Sequence, residues 1–188
     1  MDDIWIYGYG SLMWRPGFDY VEARPALLRG YHRALCVYSV RYRGTRALPG
    51  LVLGLDHGGA CAGMAFRVAG QDAEQVLSYL DQRETPTDAY RRRLVAVAAA
   101  GERVRAYAYI VNRDSPQYTG RLSADQTVAL IVQGEGQMGR CLDYVENTVR
   151  HLELLGYGDG HLHDLLARAL RQCGAGRPTE NSAHAQRE

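Results

Sequence analysis

Six short runs of β-forming residues fill the first two-thirds of this chain: IWIYG (4–8), RALCVYSV (33–40), GLVLGLD (50–56), AGMAFRV (62–68), RRLVAVAA (92–99) and RVRAYAYIV (103–111). Each is cut off by glycine, proline or polar turn residues, so strands rather than helices must form most of the first core. The last run alternates most clearly, with Val104, Ala106, Ala108 and Ile110 on one face and Arg105, Tyr107, Tyr109 and Val111 on the other. Helical spacing appears in one insertion and then dominates. Residues 72–84 place Ala73, Val76, Leu77 and Leu80 on one stripe, and Ser123 with Gln126 forms a capping box for 124–132. Leu142, Val145, Val149 and Leu152 line a third helix that Gly156 can stop, and 161–172 make a fourth. Strands first, one inserted helix and further helices at the end point to an α+β fold, a small mixed β-barrel flanked by helices, rather than to repeated βαβ units.

At 188 residues the chain has the length of one domain. We expect a single domain over 1–173. The tail 174–188, GAGRPTENSAHAQRE, has no bulky apolar residue and is expected to be disordered. A formal net charge of +1 gives no reason to recruit nucleic acid or a membrane surface, and no apolar run approaches the ~20 residues of a membrane span. Cys36, Cys61, Cys141 and Cys173 are widely spaced and the start lacks a secretory pattern, so a cytoplasmic protein, monomeric by default, is the expectation. All 22 basic residues are arginine, which rules out lysine Schiff-base and P-loop chemistry.

Two stretches carry chemical information. The first is YGYGSLMW, residues 7–14. A dinucleotide fingerprint fails because Met13 stands where a third glycine is needed, and a hydrolase elbow fails because Ser11 is flanked at two residues' distance by Tyr9 and Met13. What remains is either a plain turn, which local pattern alone favours, or a nest of backbone N–H groups around Gly8 and Gly10 that suits a small carboxylate. The second is YLDQRETPTDAY, residues 79–90. Glu84 follows Leu80 by four residues, Leu77 by seven and Val76 by eight, on the apolar stripe, and Pro86 disfavours helix at Thr85. Desolvation and the negative helix end both disfavour the anion, so its pKa should rise and suit a general base. The competing reading, slightly favoured without further evidence, has Glu84 paired with an arginine at the core edge or exposed by fraying. Asp81 lies off the stripe and is expected to cap or to be solvated.

Other signals carry less. The sequence DGHLH, Asp159 to His163, reads as helix-start polarity and not as a metal site, because histidines two apart diverge on a helix. His32 and Cys36, four apart in a strand, should face the same side, with Cys36 a buried thiol. The run Arg91–Arg93 reads as a solvated strand entry.

YGYGSLMW, LRGYHRAL, YSVRYRGTRALPGLVLGL, GMAFRV, YLDQRE, YAYIVNRDSPQYTG and GEGQMGRCLDYVENTVRHLELLG, in this order and spacing, resemble the ChaC-type γ-glutamylcyclotransferases over roughly residues 4–170. The resemblance implies a small barrel with helices around it, substrate binding by Gly8, Tyr9, Gly10, Ser11, Leu12 and Met13, and Glu84 as proton acceptor. It also implies glutathione as the small-molecule substrate, split into 5-oxoproline and cysteinylglycine by attack of its own α-amine, a reaction that requires no metal or other cofactor. Tyr118 and Tyr90 are candidates for the oxyanion donor, with simple ring packing as the alternative. Three departures bear on specificity: Tyr42 where the family has histidine, Cys141 where it often has asparagine, and YTGR at 118–121 in place of YLGP. Action on other γ-glutamyl amides, or carboxylate binding without turnover, are the rival expectations.

Overall fold

The computed structural model describes residues 2–175. Strand β1 (Ile4–Gly8) leads into a single 3-10 turn, Ser11–Met13, and then into two long strands, β2 (Glu22–Ser39) and β3 (Gly50–Val68). Helix α1 (Ala73–Glu84), β4 (Tyr90–Ala99) and β5 (Glu102–Val111) follow, then α2 (Ala124–Gln133), the two-residue strands β6 (Glu135–Gly136) and β7 (Gly139–Arg140), α3 (Cys141–Leu154) and α4 (Gly160–Ala175). The five long strands close into a barrel in the order β1-β3-β2-β4-β5. Closure is made by a parallel pairing of β1 with β5, Trp5 opposite Ala106 and Ile6 opposite Tyr107. All other pairings are antiparallel.

The α+β barrel is as expected, but it has five strands rather than six. GLVLGLD and AGMAFRV are one strand: the glycines between them, which cut the run in sequence, form a bulge in β3, with Gly58 at φ 101° and Gly59 at φ 69° opposite Gly30 at φ 86° on β2. Positive φ on both strands bends the ladder sharply without ending it. β2 also begins at Glu22, well before the run at 33–40, and carries Pro25 opposite Met64 near its start. A second register shift, between Leu35 and Val37, makes Cys36 an extra residue on β2. His32 and Cys36 nevertheless share a face as expected, since Ala34 between them packs with Cys36 and Asp56, the register partner of His32, lies within electrostatic reach of Cys36; His32 is exposed and Cys36 buried.

Two apolar regions meet at the barrel wall. Inside, Tyr7, Leu35, Leu53, Leu55, Ala106, Ala108 and Ile110 join Ile131, Val145, Val149, Leu152 and Leu165 of the C-terminal helices. Outside, Ile6, Phe66, Val68 and Tyr109 are covered by Val76 and Leu80 of α1. Both faces of β5 are thus buried, although only one looks apolar in sequence. The capping box of Ser123 and Gln126 is present at α2. Helix α4 runs two residues into the stretch assigned to the tail, through Gly174 to Ala175; residues 176–188 lie outside the described residues. Among the described residues no helix is long and apolar enough to cross a membrane.

The glycine stretch leaves the barrel where β1 crosses β3. An ideal Cβ built on Gly63 would lie 2.3 Å from the Gly8 carbonyl oxygen and 2.8 Å from the Tyr7 hydroxyl, so only glycine permits this approach. Gly63→Ala is expected to lower stability by about 1–3 kcal/mol, read from the midpoint of urea unfolding, because both contacts are buried backbone or a pinned phenol.

Candidate active site

Glu84 is the last residue of α1, with Thr85 as its C-cap, as Pro86 implies. The Thr85 N–H donates to Asp81 O at 2.9 Å and its hydroxyl to the same oxygen at 2.6 Å, which ends the helix firmly. Asp81 is not merely solvated: it accepts from the Tyr109 hydroxyl at 2.8 Å and pairs with Arg92 at 2.6 Å, tying α1 to β4 and β5. Arg92 is thereby engaged rather than simply solvated at the strand entry, and Arg91 pairs with Asp114 at 3.3 Å. With Leu80 fully buried four residues earlier, Glu84 has its side chain turned under the barrel rim and only 21% exposed.

Burial raises the Glu84 carboxyl above the ordinary glutamate value, and Arg83 works against the rise. Both expectations for this residue therefore hold at once, since it is desolvated and it also touches an arginine, Arg83 Nε, at 3.2 Å. Its charge reaches three phenols, Tyr9, Tyr90 and Tyr144, each held protonated first by its own burial and further by Glu84. For Tyr144 the value is pushed up to about 12. Two of the three hydroxyls bond to one residue of β3: Tyr90 donates to Leu53 O at 2.6 Å, and Tyr144 accepts from Leu53 N–H at 3.3 Å. Among the described residues the Tyr9 hydroxyl has no such partner.

The glycine stretch lies against this group through Arg83. One terminal nitrogen donates to the carbonyls of Arg15 and Pro16, both at 2.9 Å, and the other to Ser11 Oγ at 3.2 Å, while Nε faces Glu84. A second guanidinium holds the stretch from the other side. Arg33, its side chain 5% exposed, donates to Tyr9 O at 2.6 Å and Ala62 O at 2.7 Å and pairs with Asp159 at 3.2 Å. Lysine could not make these divergent bonds with one head group. Gly8, Tyr9, Gly10, Ser11 and Glu84 are thus brought together. Leu12 and Met13 send their side chains into the outer and inner cores, leaving only their backbone for a ligand. Among the described residues the N–H groups of Gly10, Ser11 and Leu12 have no protein acceptor, as at the open start of a helical turn.

Tyr118 stands apart from Glu84 in its bonding. It packs against Cys36, Val37, Ala89 and Val111, and its hydroxyl donates to Asp56 at 2.8 Å. Burial would raise Asp56, but Tyr118, Arg113 and the His57 N–H outweigh it and hold that carboxyl low. Of the three departures, Tyr42 is an exposed ring beneath Arg41, and Thr119 N–H donates to Cys36 O at 3.0 Å. Cys141 is fully buried; its thiol, raised by burial to about 11, accepts from Leu51 N–H and donates to Leu51 O, both at 3.2 Å. That pair anchors the start of α3 to β3. Asp159 caps α4 through Leu162 N–H at 3.2 Å, and His163 bonds to Asp159 O and Glu153, so DGHLH is helix-start polarity. No cluster of three or more potential metal-ligating side chains occurs among the described residues. Two open surface depressions, one bounded by Asp125, Asp164 and Arg168 and one by Phe18, Asp72 and Tyr79, both lie away from Glu84.

Residues 4–172 match the model of the ChaC-like protein family. The chain belongs to the ChaC family. Among curated ChaC relatives, the "glutathione-specific gamma-glutamylcyclotransferase" of Escherichia coli (strain K12) is 35% identical over 164 residues, covering 87% of this chain and 71% of that protein. The human "glutathione-specific gamma-glutamylcyclotransferase 1" is 32% identical over 158 residues, covering 81% and 71%. The Schizosaccharomyces pombe enzyme of the same specificity is 31% identical over 193 residues, covering 90% and 93%. A crystal structure of the yeast γ-glutamyl cyclotransferase specific to glutathione superposes with a TM-score of 0.83 over 91% of this chain and 97% of that one. At 22% identity that likeness speaks for the fold, and it agrees with the five-stranded ChaC barrel described above.

Sequence reasoning missed Tyr144, Arg33 and Arg83 as members of the site. Arg83 stands directly before Glu84, but nothing in the spacing shows that its side chain turns back to residues 11–16. Tyr144 and Arg33 reach the site only through tertiary packing. The raised carboxyl gives a test of the site's electrostatics. Because the folded-state pKa of Glu84 exceeds its unfolded value, folding stability is greatest below the unfolded pKa, falls as pH rises from there, and levels off above the folded pKa. The stability of Glu84→Gln relative to wild type should therefore increase from pH 4.5 to pH 7.5 in urea unfolding. An unchanged difference would show that the carboxyl is not desolvated.

Proposed function

We propose that this chain is a γ-glutamylcyclotransferase that cleaves glutathione to 5-oxoproline and cysteinylglycine, with Glu84 as its base. The observation that carries the reading is the juxtaposition of a desolvated carboxyl with N–H groups that have no protein acceptor, both held by Arg83. Membership of the ChaC family and the names of its curated relatives supply the substrate.

In this mechanism the N–H groups of residues 10–12 receive the α-carboxylate of the γ-glutamyl unit. Curling of the chain then sets the α-amine against the γ-carbonyl, the proximity term that dominates such a ring closure. At neutral pH most of the amine is protonated, since a typical α-amino pKa is about 7.7–8.0. Glu84 takes that proton, the nitrogen attacks, and a C–N bond forms as the carbonyl oxygen gathers charge. Collapse breaks the amide bond to cysteine as the proton held by Glu84 goes to the leaving nitrogen; Glu84 then takes the second proton shed by the ring nitrogen and passes it to the released amine, so both protons lost by the α-ammonium end on cysteinylglycine. No water is consumed, and the base returns to its starting state.

The oxyanion needs a donor that stays protonated and is not already committed. Tyr90 donates to Leu53 O and Tyr118 to Asp56; Tyr9 and Tyr144 both stay protonated with the hydroxyl proton uncommitted, and of these two Tyr9 lies on the glycine stretch itself. We assign the donation to Tyr9.

Mass spectrometry of 5-oxoproline and cysteinylglycine after incubation with glutathione tests the reaction. Equimolar products are expected from wild type, with the rate lowered by about 10²–10⁴-fold in Glu84→Gln; an unaffected variant would remove Glu84 as base. Tyr9→Phe should lower kcat by about 10²-fold with a smaller effect on KM. A kcat equal to wild type would return the role to another donor.

A further inference from the structure

The reaction proposed above engages one end of glutathione; the loop between β2 and β3 lies on a different part of the rim, beside Tyr144. That loop is pressed backbone to backbone against the β6–β7 hairpin. An ideal Cβ would lie 2.0 Å from Arg43 O if built on Gly50, 2.1 Å from Gly50 N on Gly44, 2.5 Å from Gly50 Cα on Gly134, and 2.6 Å from Arg41 O on Gly136. Gln137 and Met138 N–H groups donate to Arg41 O and Tyr42 O, both at 2.9 Å, and Arg43 N–H donates to Ser39 Oγ at 2.9 Å. The main chain at Arg43 therefore has one path.

The Arg43 side chain leads back to the site. Its guanidinium carbon lies 5.4 Å from the centroid of the Tyr144 ring, and one terminal nitrogen donates to Met138 O and, at 3.4 Å, to Arg140 O. Among the described residues no carboxylate pairs with it, unlike Arg33, Arg83, Arg92 and Arg113, each of which faces an acid. Tyr144 is the phenol bonded to Leu53 N–H, and it lies within electrostatic reach of both Glu84 and Arg43, charges of opposite sign. A half-buried guanidinium with nitrogens to spare, stacked on an aromatic ring of the site, is suited to a carboxylate.

We infer that Arg43 is the specificity residue of this site and receives the C-terminal carboxylate of the peptide leaving the γ-glutamyl group. The inference rests on the proposed cyclotransferase reading and deepens it by naming the substrate class: γ-glutamyl peptides with a free terminal carboxylate, in preference to γ-glutamyl amides that lack one. The α-carboxylate is bound at the glycine stretch and the second carboxylate at Arg43, so the scissile amide is held from both ends.

The test compares glutathione with its C-terminal amide on wild type, Arg43→Gln and Arg43→Lys, reading kcat/KM for each pair. Wild type should favour the acid by about 10- to 100-fold, the range of a charge-assisted hydrogen bond. In Arg43→Gln that ratio should fall close to one, and in Arg43→Lys part of it should return. A variant that only loosened the hairpin would slow both substrates alike, so an unchanged ratio in Arg43→Gln overturns the assignment. Wild type that treats acid and amide alike discards the role of Arg43 while leaving the reaction in place. Wild type that turns over neither removes the cyclotransferase reading and this inference with it.

Discussion

The two-residue parallel ladder between β1 and β5 is the constraint on which the rest of the molecule depends. Trp5 and Ile6 are the residues of β1 paired with β5, and through them an otherwise antiparallel sheet becomes a closed barrel. Closure leaves β1 without a free edge and ends it at Gly8, so the chain turns out at the rim beside the C-terminus of α1. That helix is itself fastened to the wall by Val76, Leu80 and the Asp81 bonds to Tyr109 and Arg92. Glu84 and Ser11 of the glycine stretch, more than seventy residues apart in sequence, meet through Arg83 because both are carried on this closed frame.

The arginines complete what the barrel begins. Arg83 joins the last turn of α1 to residues 11–16, and Arg33 joins Tyr9 and Ala62 to the start of α4 through Asp159. Each spreads several bonds from one planar group, the capacity that distinguishes guanidinium from ammonium. In a chain whose 22 basic residues are all arginine, much of the positive charge is consumed in this way rather than displayed.

The parts legible in the sequence are those governed by local rules. The capping box at Ser123, the stop at Glu84 before Pro86, the stripe of α1 and the burial of Cys36 all follow from neighbours within a turn or two. The apolar position of Glu84 pointed to a desolvated carboxyl, and YGYGSLMW pointed to an unusual backbone. What escaped was long-range. Gly58 and Gly59 look like the end of a strand because positive-φ glycines serve turns and bulges alike, and only the pairing with β2 around Gly30 decides between them. Residues 22–32 show no clean alternation and contain Pro25, yet they form half of β2, since a long partner strand supplies the register. Tyr144 and Arg33 lie within stretches that carry the family resemblance, but no local rule singles them out, and their place near the site is set by how α3, α4 and the barrel pack.

The contact of Gly44 and Gly50 with Gly134 and Gly136 has a consequence for how such a pocket can diversify. Where main chain touches main chain there is no room for a side chain, so these four positions can accept almost no change, and the course of the loop is inherited as a unit. The residues directly before Gly44, Tyr42 and Arg43, project from the frame and are under no such restriction. On the proposed reading, a new preference for what leaves the γ-glutamyl group would come from exchanging a projecting side chain on this fixed frame rather than from insertion or deletion within the loop.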